Sequence, residues 1–346
     1  MNATKAWSCV PLRHWWLRVL LALPLTASLT TTGCTNSNAG PTPSTAAAAA
    51  VAKSEAAADA TAVPVASVPD NGPLPHIDAK RAFEYTRQVT AFGPRYMGND
   101  AHKKLERYIV DHLKGDQVEN DDFTADTVEG KFPVHNIIAK FPGKKGGIIA
   151  ILGHYDTNYP LRNIGYVGAN DGGSSTAILL EFANQLRGKI RDGYSVWLVW
   201  TDGEEAVKNW SDTDSLYGTR HLAEKWEKDG TLKKIKALMV MDMIAAQDVN
   251  ILRDNNSTPW LLDLIRSAAE RGGYQSHFYA LETPMEDDHL PFVKRGVPSA
   301  DVIDMPYGYN DVFHHTAQDT MDKLDPRSLE IVGNTILETV HLLDQR

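Results

Sequence analysis

Cysteine is almost absent from this chain of 346 residues, which contains only Cys9 and Cys34. Two cysteines cannot build a disulfide framework or a zinc finger, so any bound metal must be held by histidine and carboxylate side chains. Basic charge is also scarce, because 35 Lys and Arg stand against 44 Asp and Glu, a formal net charge of −9. A protein that neutralises phosphates needs a basic face, so this balance argues against a nucleic-acid binder.

The first 34 residues are typical of an export signal. Three basic residues and no acidic one precede or border an apolar run, residues 19–29, that is too short to span a bilayer. The segment ends in Thr31-Thr32-Gly33-Cys34, which resembles a bacterial lipoprotein box with Cys34 as the acceptor. We therefore expect an exported bacterial protein, periplasmic or anchored in the outer membrane only through a lipid on Cys34. Plain signal-peptide cleavage nearby is the alternative.

The rest of the chain divides into a tether and one domain. Residues 35–74 are rich in Ala, Pro, Ser and Thr and predict a disordered tether, because such a composition cannot bury a core. Residues 75–346 contain no second break of this kind and no internal repeat, so they predict a single catalytic domain. We expect this domain to be a monomer.

Helical and strand-like patterns alternate along that domain. Together they predict an α/β three-layer sandwich with a central mixed, mainly parallel sheet flanked by helices. Helical periodicity covers residues 79–90, 101–113, 174–186, 215–228, 260–271 and 326–343, and apolar strand-like runs cover 136–141, 147–153, 195–200, 237–241 and 300–303. Ligands of such sheets bind beyond the carboxyl ends of the strands, so polar residues that follow the runs are candidate site residues.

Five polar clusters occupy such positions. They are His154-Tyr155-Asp156, Asn170-Asp171, Glu204-Glu205, Asp242 and His314-His315. A single cluster would mean little, since Asp171 alone could be a helix N-cap and Glu204-Glu205 a solvated acidic turn. Five clusters at one edge of a sheet would repel one another without a cation. Nitrogen and oxygen ligands without sulfur suit Zn²⁺ in an open, catalytic site.

The adjacent Glu204 and Glu205 are predicted to have different roles. Side chains of neighbouring residues on an irregular turn point in different directions, so one can bind a metal while the other faces the substrate. The carboxylate that stays free beside a cation is suited to moving a proton.

These residues resemble a known enzyme family. The segments Gly153–Asp156, Asn170-Asp171, Glu204-Glu205, Asp242 and His315-Thr316 are similar to the co-catalytic zinc aminopeptidases. Within that family, residues 202–206, 210–211, 214–223 and 286–292 look like the animal-type glutaminyl cyclases. The resemblance implies a zinc-dependent enzyme that converts the N-terminal glutamine of peptides or proteins to pyroglutamate with release of ammonia.

The cyclase resemblance also implies roles for individual residues. One zinc ion would be held by Asp171, Glu205 and His315. Glu204 would shuttle the proton, with the acids Asp242 and Asp287 behind it. The substrate pocket would include Trp210, His314 and Glu286, and the last two depart from the family, which usually has Trp and Gln at these positions.

A di-zinc aminopeptidase that hydrolyses N-terminal residues is the alternative enzyme. In that case His154 and Asp242 would help to hold a second zinc, and Glu204 would activate a water molecule. A non-catalytic binding domain on the same fold is a third hypothesis. A non-catalytic domain would be expected to lack Glu204 or one of the metal ligands, and this chain has all of them.

Overall fold

A computed structural model describes residues 72–346, which all lie in one compact unit. The predicted signal peptide and almost all of the predicted tether lie outside the described residues. No helix in the described part of the chain combines the length and the apolar character that crossing a bilayer requires.

The core of the fold is a six-stranded sheet with the strand order β1-β2-β4-β3-β5-β8. Strands β4, β3, β5 and β8 run parallel to one another, β2 pairs antiparallel with β4, and β1 pairs antiparallel with β2, so the predicted mixed, mainly parallel sheet is confirmed. The strands are β1 (Gln117–Thr127), β2 (Gly130–Phe141), β3 (Gly143–His154), β4 (Arg191–Thr201), β5 (Ile235–Asp242), β6 (Ile251–Asp254), β7 (Phe278–Thr283) and β8 (Ser299–Ile303). Strands β6 and β7 form a separate parallel pair.

Helices cover both faces of the large sheet. They are α1 (Ala79–Thr90), α2 (Asp100–His112), α3 (Gly173–Leu186), α4 (Tyr217–Lys228), α5 (Pro259–Gly272), α6 (Leu290–Val293) and α7 (Pro326–Asp344). One apolar cluster joins α1, α2, α3, α5 and α7 to one face, and a second joins α4 and α6 to the other. The predicted three-layer sandwich is therefore confirmed.

The central strand β3 shows why both faces are covered. Ile149 and Ile151 pack into the first apolar cluster, and their neighbours Ile148, Ala150 and Leu152 pack into the second. Successive side chains of a strand point to opposite faces, so a run of consecutive apolar residues requires helices on both sides.

The parallel strands bring the sequence clusters to one edge. β3 ends at His154, β4 ends at Thr201 directly before the turn 202–205, and β5 ends at Asp242. Helix α3 begins at Gly173, so Asp171 stands in the loop that enters it. The carboxyl ends of three neighbouring strands thus place polar side chains around one depression, as the strand pattern predicted.

Candidate active site

Two predicted zinc ligands, Asp171 and Glu205, approach an imidazole nitrogen of the third, His315. His315 Nε2 lies 3.3 Å from Asp171 Oδ2 and 3.2 Å from Glu205 Oε1. His315 has a positive φ of 53°, which non-glycine residues rarely adopt and which occurs most often at functional sites. Asp171 and Glu205 are buried, whereas His315 is partly exposed at the mouth of the site.

Residues without any recognisable motif hold these ligands in place. The Tyr166 hydroxyl donates a hydrogen bond to Asp171 Oδ2, and Asn158 Nδ2 donates one of 2.7 Å to Glu205 Oε2. Asp319 accepts bonds of 2.9 and 3.1 Å from the backbone N–H groups of Asn170 and Asp171. Such support orients metal ligands. The sequence patterns did not predict these supporting residues, because they are isolated polar residues remote from the motif they contact.

The donor set fits a zinc ion. Ligand atoms of a tetrahedral zinc site lie roughly 3.3 Å apart, given bonds of about 2.0 Å, and the two carboxylate oxygens stand at that separation from His315 Nε2. Glu205 Oε1 is buried and accepts no hydrogen bond from the described residues. Burial alone would lower the pKa of His315, but Glu205 and Asp171 raise it to about 11. These carboxylates therefore favour a cation at this position.

A second group of close contacts, around His154, shares Asp171 with the first. His154 Nε2 is 3.1 Å from both Asp171 Oδ1 and Asp242 Oδ1. Burial lowers the pKa of His154, but Asp156, Asp171 and Asp242 outweigh it and hold the pKa well above its usual value. The residues predicted for a second zinc are thus close together, and the same atoms can either hold a second cation or share a proton.

Glu204 stands on a turn that Asp156 fixes. The backbone N–H groups of Glu204 and Glu205 donate hydrogen bonds of 3.2 and 3.4 Å to the two oxygens of the Asp156 carboxylate. The Glu204 side chain is buried beside the cavity described below, and its Oε2 lies 3.8 Å from His154 Nδ1. Burial raises its pKa well above the usual range. A buried carboxyl group with a raised pKa is suited to accepting a proton and releasing it again.

Two further acids lie deep in the site. Burial raises the pKa of Asp287 to about 6, and the nearby Asp242 carboxylate adds to this effect. Burial likewise raises the pKa of Asp288 to about 7. Asp288 accepts hydrogen bonds of 2.6 Å from both Thr201 and Thr219, which fixes the segment that carries Asp287.

The predicted pocket residues enclose a cavity of about 260 Å³. Trp210 Nε1 donates a hydrogen bond of 3.2 Å to Glu286 Oε2, so the two side chains form one continuous wall. The His314 ring, which also lines the cavity, lies 4.0 Å from that of His315, and His314 Nδ1 lies 3.1 Å from Asp311 Oδ2. Nine predicted site residues line this cavity: Asp171, Glu204, Glu205, Trp210, Asp242, Glu286, Asp287, His314 and His315. The buried His154 lies behind them.

Known proteins resemble this chain in sequence and in fold. The profile of peptidase family M28 matches residues 136–340. A glutaminyl-peptide cyclotransferase-like protein of Bos taurus is 31% identical over 259 residues, 67% of this chain and 67% of its own. The glutaminyl cyclase of an Acidobacteriales bacterium superposes with a TM-score of 0.78 and 50% identity, covering 81% of this chain and 99% of its own. A Zn-dependent exopeptidase of Parabacteroides distasonis shares the fold, with a TM-score of 0.69 and 24% identity over 79% of this chain and 100% of its own.

Proposed function

The chain belongs to peptidase family M28, and from that premise we propose that it is a zinc-dependent glutaminyl cyclase that acts on peptide or protein N-termini. The observation that carries the proposal is the small cavity whose lining combines the hydrogen-bonded Trp210–Glu286 pair and the three predicted zinc ligands with Glu204 and Asp287. A cavity of about 260 Å³ suits one amino-acid side chain rather than a long peptide segment.

The residues divide the reaction between them. Asp171, Glu205 and His315 would hold one zinc ion, which when bound supplies polarisation of the carbonyl group in the glutamine side chain. The α-amine forms a bond to that carbonyl carbon, and the bond from the carbon to the amide nitrogen breaks. Glu204 takes the proton from the attacking amine and returns it to the leaving nitrogen, which departs as ammonia.

The remaining acids and the pocket walls position the substrate. Asp287, with Asp242 behind it, places negative charge near the nitrogen that becomes positively charged during the attack. Trp210 holds the side chain of the substrate against the opposite wall. Ring closure then depends mainly on bringing the amine and the carbonyl together, which a rigid pocket achieves by reducing their freedom before the reaction.

A di-zinc aminopeptidase is the second candidate, and one observation favours it. His154 Nε2 lies at the same 3.1 Å from Asp171 and Asp242, as ligands of a second ion would require. The same contacts also suit a protonated His154 bridging two carboxylates in a one-zinc enzyme. The metal content of the purified protein therefore separates the two candidates.

Activity and metal content together test the proposal. We expect the purified protein to form pyroglutamate from peptides with N-terminal glutamine, to leave leucine p-nitroanilide intact, and to contain about one zinc ion per chain. Release of p-nitroaniline without pyroglutamate formation, together with about two zinc ions per chain, would establish the aminopeptidase instead. A chain with neither activity would support the non-catalytic hypothesis.

We also propose that the enzyme is a monomer that is exported and anchored through Cys34, and the export and the anchor are supported by the sequence pattern of residues 1–34. In a bacterial host, the full-length chain should then be found in the membrane fraction. The Cys34→Ser variant should lose the lipid and should be largely released. A variant that stays membrane-bound to the same extent at high salt would contradict lipidation.

A further inference from the structure

A basic edge lies at the end of the sheet opposite the active site. We define this basic edge as residues 143–147, 188–193 and 229–236, where strands β3, β4 and β5 begin. It carries seven basic residues and two acidic ones in a chain whose net charge is −9. The basic residues are Lys144, Lys145, Lys189, Arg191, Lys233, Lys234 and Lys236.

The basic edge is a continuous surface. The Lys236 side chain packs so closely against Gly147 that a Cβ there would lie 2.7 Å from Lys236 Cε, and Tyr194 lies on the other side of the same glycine. Lys145 Nζ stands 5.5 Å above the centre of the Tyr194 ring. Lys145 and Lys236 therefore lie close to the same tyrosine, where the three parallel strands begin.

Much of the positive charge on this surface is available to a partner. Lys144 pairs with Asp192 at 2.6 Å, and Arg191 pairs with Asp344. Among residues 72–346, Lys189 contacts only a backbone carbonyl oxygen, that of Gln185. The lysines at 233, 234 and 236 are exposed and have no carboxylate within ion-pair distance in the same part of the chain.

An exposed apolar residue stands within the basic edge. Ile190 is 69% exposed, between Lys189 and Arg191 in sequence. Apolar side chains of this size among lysines are typical of surfaces that lie against lipid headgroups, where the apolar group enters the boundary and the lysines contact phosphates.

The chain leaves the described domain at the same place. Pro73 and Pro75 line a cavity of about 920 Å³ together with Lys145, Ile190 and Arg191. The residues that lead back to Cys34 are therefore attached beside the basic edge.

We propose that the basic edge docks the folded domain onto a membrane surface of anionic phospholipids. Each Lys or Arg close to such a surface adds to the attraction, which fades within a Debye length. The charge of the rest of the protein is negative, so the attraction is confined to this edge and orients the molecule. The pocket then faces away from the lipid. The inference depends neither on the proposed reaction nor on acylation of Cys34.

Vesicle co-sedimentation of full-length protein tests this proposal. The parent chain carries Cys34→Ser, so that no acyl chain contributes. The edge variant adds Lys233→Glu, Lys234→Glu and Lys236→Glu. The control variant adds Lys103→Glu, Lys104→Glu and Arg107→Glu, the same charge change on exposed positions of α2, whose first turn contacts Asp202 near the active site. A milder variant replaces the three edge lysines by Gln and guards against misfolding, which circular dichroism also monitors.

We expect the parent chain to bind vesicles of phosphatidylcholine with roughly one-third phosphatidylglycerol at low salt, and to be released by about 0.5 M NaCl. The edge variant should partition at least about tenfold more weakly, the Gln variant less severely, and the control within about threefold of the parent. Equal loss in the edge and control variants would overturn the proposal, as would equal binding to pure phosphatidylcholine. Binding that resists salt would point to insertion of the N-terminal apolar run instead, and would also overturn it.

Discussion

Two adjacent glutamates of the active-site turn have different surroundings. Glu205 is held by Asn158 and contacts His315, whereas Glu204 lies beside Asp287 and Asp288, and its Oε2 is 3.8 Å from His154 Nδ1. Side chains one residue apart on the turn are thus directed to different partners. This difference permits one glutamate to hold the metal while the other remains free to carry a proton.

Replacing each of these two glutamates in turn by glutamine separates their roles. We expect Glu204→Gln to reduce kcat at least about 100-fold and to retain zinc, because the amide cannot accept the proton of the attacking amine. Glu205→Gln serves as the matched control and should lose zinc. Steady-state kinetics and metal analysis after dialysis measure both effects. A Glu204→Gln variant with full activity would contradict the proton-shuttle role.

A buried carboxyl outside the pocket makes stability depend on pH. Burial raises the pKa of Asp304 to about 7, although the backbone N–H of Asn250 donates a bond of 3.2 Å to it. The unfolded chain has a value near 3.9, so the folded state binds this proton more tightly. Asp304 therefore costs increasing stability as the pH rises from about 4 to about 7, and its full cost remains above that range.

Replacing this carboxyl by an amide should remove that cost. Asp304→Asn keeps an acceptor oxygen for Asn250, so we expect it to raise the free energy of unfolding at pH 8 by at least about 1 kcal/mol. The gain should shrink toward pH 4. Urea unfolding at several pH values measures it, and Asp212→Asn, an exposed position, is the control. A gain independent of pH would show that ionisation of Asp304 is not the cause.

The site residues differ in how far the sequence could predict them. Asp171, Glu205 and His315 belong to short motifs after strands, and the structure places them together. Tyr166 and Asp319 act on Asp171 through single contacts, and Asp319 does so across 148 positions of the chain. A lone tyrosine or aspartate has no local pattern that distinguishes it from a surface residue, so only the folded chain identifies it.

At the scale of elements, helix α4 is fitted closely to the active-site turn. A Cβ at Gly218 would lie 2.2 Å from the backbone oxygen of Asp202 and 2.5 Å from Asn136 Oδ1. Backbone atoms cannot move aside easily, so only glycine permits this approach. The position of α4 and the position of the turn that carries Glu204 are therefore linked.

A methyl group at Gly218 should disturb both the position of α4 and the turn that carries Glu204. We expect Gly218→Ala to lower the free energy of unfolding by about 1–3 kcal/mol and to reduce activity as well. Gly146→Ala, which meets no atom within 4 Å, is the control and should leave both unchanged. Denaturant titration and kinetics on the two variants measure the effect. A stable Gly218→Ala protein of normal activity would show that the helix can shift away.

The elements themselves differ in how clearly the sequence marks them. The six periodic segments predicted helices that begin and end within two residues of those in the structure, as in Ala79–Thr90, where one apolar face is buried. Strand β1 (Gln117–Thr127) was not predicted. It lies at the sheet edge and buries only Asp121 and Ala125, so its polar sequence lacks the apolar alternation that identifies a strand.

For the whole molecule, the acidic site makes stability depend on metal. Asp171, Glu205 and Asp242 are buried close together, and a cation that binds only the folded chain stabilises it. We expect removal of zinc by a chelator to lower Tm by several degrees, since about 1 kcal/mol corresponds to about 2–4 °C at this size. Added Zn²⁺ should restore Tm and Mg²⁺ should not, because imidazole ligands suit zinc. An unchanged Tm in differential scanning calorimetry would contradict a resident ion.

The pocket and the point where the chain leaves the domain lie at opposite ends of the sheet. This arrangement limits the substrates that the pocket can reach. Strand β3 runs from Gly143 near the exit to His154 in the site, about 36 Å at 3.3 Å per residue. An enzyme docked by its basic edge would hold its pocket at about that height above the lipid. N-termini that lie flat on the same membrane would be too far below the pocket to enter it. Freely diffusing peptides, and chains whose first residues project well beyond the headgroups, would be the ones that it modifies.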